Sequence, residues 1–496
     1  MKQLKQVMRE TERHFAPFKK NIIGNGFEYD TPYGRQPLRY FDWIAGGRLY
    51  KPIEDKIAST FGPYVANTHT ETSETGTLMT HAYHYAHRII KEHVHAGPQD
   101  VILTPGFGMT AAVVKLQRIL GLKGCGIMSR GECIHKVEKP VVFITHMEHH
   151  SNHTSWLETN AEVIVLQPDE NNLVDPQELV RQLEKYRDRE LKIGAFTACS
   201  NITGVRPPFY ELARIMHEHG GYAFVDFAAS APYVDIDMHP EDPLEKLDAI
   251  YFSPHKFLGG PGASGVLIFD SAMYRNIAPD TPGGGTVDWT NPWGEYKYID
   301  NIEMREDGGT PGFIEAFRSA LAIRLKEQMG TEWIEKREKE IVPAAMHGLK
   351  EIPGIHVLAD HVEDRLGAVS FHHEEIHYNL IVKLLSDRYG IQVRGGCACA
   401  GTYGHVLLGI SKEESHRITR KIDTGDLSEK PGFVRLSLHP TMTDEEVDYF
   451  LKAVAEIVKN AGEWEKDYTY DKHTNEFTHK DDRGEKKEIV HSWFEL

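Results

Sequence analysis

The chain has 496 residues and a net charge of −17, from 56 lysines and arginines against 73 aspartates and glutamates. That length leaves room for roughly two or three domains with a substantial core, and the acidic balance argues against binding to a nucleic-acid backbone. No stretch has the apolar length of a membrane span, the polar opening Met1-Lys2-Gln3 lacks a signal-peptide core, and five cysteines are too few and too irregular for a disulfide framework. A reducing cytoplasm is the expected compartment. Cys125, Cys133 and Cys199 read as isolated or core thiols, whereas Cys397 and Cys399 stand apart as a close pair.

Residues 1–40 predict an amphipathic opening helix and a turn-rich run. Phe41 to Gly47 reads as a short strand entering a loop. His81, His84 and His87 fall three apart on a predicted helix. Steps of three drift round a helix, so a solvated face is preferred there over a metal site. Val101 to Leu103 predicts a strand, followed by a turn at Gly106-Phe107-Gly108 and a helix from Ala111 to Leu120. Free N–H groups at such a helix start suit one anion, and a single phosphate fits better than a nucleotide, because neither nucleotide fingerprint is complete.

From residue 141 the pattern becomes regular. Strands are expected at Val141–Thr145, Val163–Gln167, Ile193–Cys199, Tyr222–Phe227, Ala249–Phe252 and Gly265–Phe269, and helices at Asp175–Glu190 and Pro208–His219. Strands of this kind, without strict alternation and separated by helices, indicate an α/β fold with a mainly parallel sheet covered on both faces. Ligands bind such sheets at the carboxyl ends of the strands. His149, Asn201, Asp226 and Lys256 all fall at or just after predicted strand ends. Residues 281–312 read as loop, Phe313 to Glu338 as one long helix bridging to a second unit, and 340–460 as mixed helices and strands ending at Phe433–Leu438 and a helix from Thr443 to Lys459. The last stretch, 461–496, is charged, shows little periodicity and reads as a peripheral extension.

Four features converge on pyridoxal phosphate as cofactor. Lys256, wedged between two core strands, is placed to be a desolvated, nucleophilic amine for Schiff-base chemistry. Asp226 suits the carboxylate that keeps a pyridine nitrogen protonated. His149, within His146-Met147-Glu148-His149-His150-Ser151-Asn152-His153, offers a ring to stack on the cofactor, and Asn201 a hydrogen bond to its ring oxygen. Phosphate then falls to Phe107 and Gly108, with Ser253 and His255 beside the lysine. His146, His149, His150 and His153 also raise a zinc cluster, which is disfavoured because the cysteine spacing of structural sites is missing.

These residues resemble the class V, fold-type I pyridoxal-phosphate enzymes, and within them the cysteine desulfurase and selenocysteine lyase branch. The resemblance runs from about residue 40 to 455. It rests on Met147-Glu148-His149-His150-Ser151-Asn152, Ser200-Asn201 with Gly204, Val225-Asp226, Ser253-x-His255-Lys256, Glu306-x-x-Gly309-Thr310-Pro311, Val393-Arg394-x-Gly396-x-x-Cys399-Ala400 and Arg435-x-Ser437. It implies a large domain with a mainly parallel seven-stranded type of sheet over 41–312 and a smaller α+β domain over 313–460. Residues 1–40 then pack near the small domain, and 461–496 form the extension. It implies that Lys256 carries the cofactor, Asp226 pairs with its nitrogen and His149 stacks on the ring, with Ala228 among the cofactor-binding residues. It also implies that Thr310 reaches the phosphate of a neighbouring subunit, so a homodimer is expected.

In the same way Arg435 resembles the arginine that grips an amino-acid carboxylate, with Arg394 as a second clamp. Cys399 aligns with the loop cysteine that takes sulfur as a persulfide. The favoured reaction is conversion of L-cysteine to L-alanine with His149 as acid–base, and sulfur passing from Cys399 to an acceptor protein. Three positions depart from the family pattern. Ala398 replaces a histidine and sits beside an extra thiol, Cys397, Ala229-Ser230 replaces a glutamine, and Phe107-Gly108 replaces the usual phosphate turn. Lysis of a C–S bond or transamination, with Cys399 a bystander, is the alternative, and a non-catalytic protein of the same fold is a further one.

Overall fold

Short apolar runs that cannot be solvated on either side must pair and be covered, and this drives the architecture. The computed structural model describes residues 8–123, 139–482, 484 and 486–496. Cys125 and Cys133 lie outside them. Seven strands, β1 (Asp100–Leu103), β2 (Val141–Ile144), β3 (Glu162–Val165), β4 (Lys192–Thr197), β5 (Tyr222–Asp226), β6 (Ala249–Phe252) and β7 (Val266–Asp270), form one sheet in the order β1-β7-β6-β5-β4-β2-β3. All run parallel except β7, which is antiparallel to both its neighbours.

Side chains alternate between two apolar layers. Ile102, Val141, Phe196, Val225 and Ile250 face one layer, which is covered by α2 (Glu74–His93), α5 (Pro176–Lys185), α6 (Phe209–Glu218) and α7 (Phe313–Met329). Val142, Ile144, Ala195, Phe224 and Tyr251 face the other, covered by α3 (Gly108–Ile119) and α4 (His150–Leu157). The first helix, α1 (Glu10–Lys20), lies instead against α8 (Thr331–Lys350) and α11 (Asp444–Trp464), where Thr11 donates to Glu340 and Lys19 pairs with Glu446.

A second, antiparallel sheet is built from β8 (Ile355–Val357), β9 (Ala368–His373), β10 (Arg394–Gly396) and β11 (Phe433–Ser437), in the order β8-β9-β11-β10. With α8, α9 (Tyr378–Tyr389) and α11 it encloses a separate apolar cluster that includes Ile341, Leu384, Leu436 and Phe450. α10 (Gly401–Leu407) follows the turn after β10.

Four expectations are corrected. The strand expected over Phe41–Gly47 pairs earlier, at Arg39–Tyr40 against Ile391–Gln392, and Asp42 makes only a bridge to Ser437. The single helix over Phe313–Glu338 is two helices, because Gly330 takes a positive φ of 77° that ends α7 and opens α8. Residues 281–312 contain a hairpin, Val287–Thr290 with Tyr296–Tyr298, whose turn is held by Asn291 Oδ1 accepting from the Trp293 and Glu295 amides. Residues 461–496 hold another, β12 (Tyr468–Asp471) and β13 (Glu476–His479), docked on α9 through Tyr468 to Asp387 at 3.0 Å and Asn379 to the Asn475 carbonyl at 2.6 Å.

Gly47 fixes how closely the first loop approaches the turn after β6. Its amide donates to the His255 carbonyl at 2.9 Å, and a Cβ there would overlap the Phe257 carbonyl. Gly47→Ala is expected to cost about 1–3 kcal/mol of stability by overpacking backbone on backbone, measured by denaturant unfolding. An unchanged midpoint would show that the loop can step back.

Candidate active site

Because β1, β2, β4, β5 and β6 run parallel, the segments after them emerge at one edge of the sheet. They enclose a cavity of about 180 Å³ lined by Phe107, His149, Asn201, Asp226, Ala228, Ser253, His255 and Lys256, together with Arg394 and Arg435 from the second sheet. Glycine makes this closure possible. A Cβ on Gly108, at φ +69°, would meet His255 Cε1 at 2.8 Å and Ser253 Oγ at 2.9 Å. The Met109 amide donates to Ser253 Oγ at 2.9 Å, which ties the start of α3 to the turn that carries Lys256.

The electrostatics follow from burial. Lys256 Nζ makes no hydrogen bond or ion pair among the described residues, and desolvation lowers its pKa to about 8, against a counter-pull from Asp226. Burial raises Asp226 to about 6, opposed by the Ala228 amide, which donates to Oδ1 at 2.8 Å, and by Lys256. His149 is pushed down to about 3, first by burial and then by the charge of Lys256. It is therefore neutral, and since its Nδ1 accepts from the Ser151 amide at 3.1 Å, the proton sits on Nε2. His255 is lowered to about 4, again chiefly by burial.

Beneath these groups lies a polar network not anticipated as a unit. Glu148, raised to about 8 by burial, accepts from Thr145, the Thr197 amide and Asn152, and Asn152 Oδ1 accepts in turn from Tyr251 at 2.6 Å and Trp156 at 3.1 Å. It ties the adjacent ends of β2 and β4 to α4 and β6. The motif containing Glu148 and Asn152 is visible in the sequence, but the bonds to Thr197 and Tyr251 are long-range and leave no local signal.

Asp42 is the site residue that sequence reasoning missed. Its Oδ1 accepts from Arg435 Nη2 at 2.7 Å and its Oδ2 pairs with Arg394 Nε at 3.3 Å, so one carboxylate sits between both guanidiniums. Arg435 is buried, gives Nη1 to the Asn201 carbonyl at 3.1 Å, and leaves Nε without a partner among the described residues. An acid inside the apolar run Phe41-Asp42-Trp43-Ile44 was the available clue.

The remaining expected residues divide. The turn after β10 is fixed to the cavity wall by Asn201 Nδ2 donating to the Ala398 carbonyl at 2.7 Å and the His150 amide donating to the Cys399 carbonyl at 2.7 Å. Cys399 is exposed and Cys397 half-buried, and both line a larger outer cleft rather than the Lys256 cavity. Thr310 is exposed and outside the cavity. The four histidines of the supposed zinc cluster diverge: His146 bonds the Asn172 carbonyl, His150 accepts from the Gly401 amide, His153 bonds Thr402, and His149 faces the cavity. Cys199 is fully buried at the cavity's back wall.

Comparison with known proteins supplies the rest. The family model for aminotransferase class-V matches residues 39–450. A probable cysteine desulfurase of Halalkalibacterium halodurans is 30% identical over 380 residues, 75% of this chain and 86% of the relative. Another from Pyrococcus abyssi is 26% identical over 429 residues, covering 86% and 95%. Among solved structures, the apo cysteine desulfurase of Thermococcus onnurineus NA1 superposes with a TM-score of 0.71 at 24% identity, covering 90% of this chain and 98% of that one. The fold is thus the fold-type I architecture expected from the motifs. No helix among the described residues is long and apolar enough to cross a membrane.

Removing Asp42 strands a buried guanidinium. Asp42→Ala is expected to destabilise the fold by about 3 kcal/mol, read from chemical unfolding, because Arg435 loses its only carboxylate partner among the described residues. A loss of only a few tenths would mean that water or Asn201 replaces it.

Proposed function

The chain belongs to the aminotransferase class-V family, and on that premise we propose that it is a pyridoxal-phosphate-dependent cysteine desulfurase, converting L-cysteine to L-alanine. One observation carries the reading. A desolvated lysine, a buried carboxylate, a neutral histidine and a buried arginine converge on one cavity whose rim is a cysteine-bearing turn hydrogen-bonded to two of its walls.

The residues fit the cofactor. Phe107, Ser253 and His255 line one side of the cavity, where hydroxyl and imidazole groups beside the start of α3 suit a phosphate. Asn201 keeps a second amide N–H beyond the one given to Ala398. When bound, pyridoxal phosphate supplies an electron sink for charge developing at a substrate's Cα. Asp226 would hold the proton of the ring nitrogen, Ala228 and His149 would line the ring's site, and Lys256 would supply the amine that anchors the group.

Once its amine is free, Lys256 moves the Cα proton. Arg435, with Arg394 beside it, grips the substrate carboxylate bidentately and so fixes the amino acid's orientation. Substrate must compete with Asp42 for these guanidiniums. The Cys399 thiolate attacks the substrate sulfur, forming an S–S bond as the C–S bond breaks, and the carbon skeleton leaves as alanine. His149, neutral with its proton on Nε2, offers a hydrogen bond to the reacting groups rather than an acidic proton. A second reading, a C–S lyase or aminotransferase with Cys399 idle, is favoured by the placement of both thiols in the outer cleft. The exposed apolar side chains Phe107, Trp293 and Ile277 support a homodimer in which Thr310 serves the partner's phosphate, and a cytoplasmic setting fits the few, irregularly spaced cysteines.

Two measurements test this. Capture of pyridoxal phosphate by apoprotein, followed by its visible absorbance, should accelerate with pH through a midpoint near 8, because only unprotonated Lys256 is nucleophilic; a midpoint at the ordinary 10.5 contradicts the buried amine. Cys399→Ala should lose sulfide release from L-cysteine by roughly 100-fold or more while keeping the absorbance band. Retained turnover moves the function to the lyase or aminotransferase reading.

A further inference from the structure

Resting on the desulfurase reading, we propose that Cys397 is a second sulfur carrier, which takes the sulfur from Cys399 and presents it to an anionic thiol acceptor in the outer cleft. That cleft, about 740 Å³, runs along α9 and is walled on its far side by the turn between β12 and β13. Arg394 and Ala398 line both it and the Lys256 cavity, so the two spaces meet at the turn carrying the thiols.

The turn is coiled unusually tightly. Gly396, Ala398 and Cys399 all take positive φ, at 107°, 47° and 57°, and for the two non-glycine residues this is a strained conformation held by the Asn201 and His150 bonds described above. Its two thiols act on different neighbours. Burial lowers the Arg435 pKa, Asp42 opposes it, and a negative charge on Cys399 also pulls upward, which puts this thiol within electrostatic reach of the carboxylate clamp. Cys397 lines the same cleft as Tyr378, whose hydroxyl accepts from Asn475 of the C-terminal hairpin at 2.6 Å. Cys397 also borders a small apolar pocket beside Leu408, Ile418 and Phe433.

The chemistry is redox-neutral. The Cys397 thiolate attacks the terminal sulfur of the Cys399 persulfide, a new S–S bond forms on Cys397, the old one breaks, and Cys399 leaves as thiolate. An acceptor thiolate repeats the exchange at Cys397. Of the cations lining the cleft, Lys383, Arg394 and Lys486 are paired with Asp387, Asp42 and Asp482, which leaves Lys430 to meet an incoming group. Lys430 has no carboxylate partner among the described residues, so the acceptor is expected to be anionic.

The test supplies limiting L-cysteine to holoenzyme of the wild type, Cys397→Ser and Cys399→Ser. Alanine is measured, thiols and persulfides are alkylated, their positions are mapped by mass spectrometry, and a chase uses 2-mercaptoethanesulfonate. Wild type should carry sulfane sulfur at both positions. Cys397→Ser should form stoichiometric alanine, load Cys399 alone and discharge to the chase thiol at least about 10-fold more slowly. Cys399→Ser should load neither. Discharge of Cys397→Ser at the wild-type rate, absence of sulfane on Cys397 in wild type, or loading of Cys397 without Cys399 would each overturn the relay. A wild type that makes no alanine defeats the desulfurase reading itself, before the question of Cys397 arises.

Discussion

Burial drives Lys256 and Asp226 toward their neutral forms from opposite directions, down to about 8 and up to about 6, and each one's charge partly restores the other's. A cavity holding both is tolerable only where the surrounding backbone is rigid, since neither group can relax into water. The sheet provides that rigidity. β5 and β6 are neighbours with both faces covered, so the carboxylate at the end of one and the lysine after the other are held across a single strand spacing. The glycines at 47 and 108 then let other backbone close over the pair without a side chain in the way.

The second constraint is charge balance at the arginine clamp. Two guanidiniums beside Lys256 disfavour its protonated form, and Asp42 neutralises part of their field while it also orients Arg435. An amino acid's carboxylate presents the same charge and the same pair of oxygens as Asp42. The clamp is therefore preorganised by an internal stand-in for what it is proposed to bind.

Much of this is legible in the chain because strand ends are local signals. An apolar run that stops at a polar residue marks both the strand and the group it delivers, and Asp226, Lys256 and Asn201 each stand out in that way. Arg435 stands out because a guanidinium inside an apolar strand must have a buried anion to face. What local reading cannot supply are partnerships across the chain: Asp42 with residues more than three hundred positions away, Glu148 with Thr197, and α9 with the C-terminal hairpin. The break at Gly330 is hidden because the apolar pattern continues on both sides, and only the backbone angle separates α7 from α8. The cysteines are recognisable as a pair, but which space each one faces depends on the fold of the turn.

The single antiparallel strand has a consequence for how the protein is made. β1 carries the Gly106-Phe107-Gly108 turn at its end, yet its partner in the sheet is β7, which lies far along the chain after every other strand of that sheet. During synthesis β1 must wait, unpaired, until β7 has emerged, while β2 to β6 can assemble among themselves in order. The edge that receives β1 is thus the last to close, and this long-range pairing is the step expected to limit folding. The cavity exists only after that closure, so an incompletely folded chain holds its lysine in water, where the amine is an ordinary one.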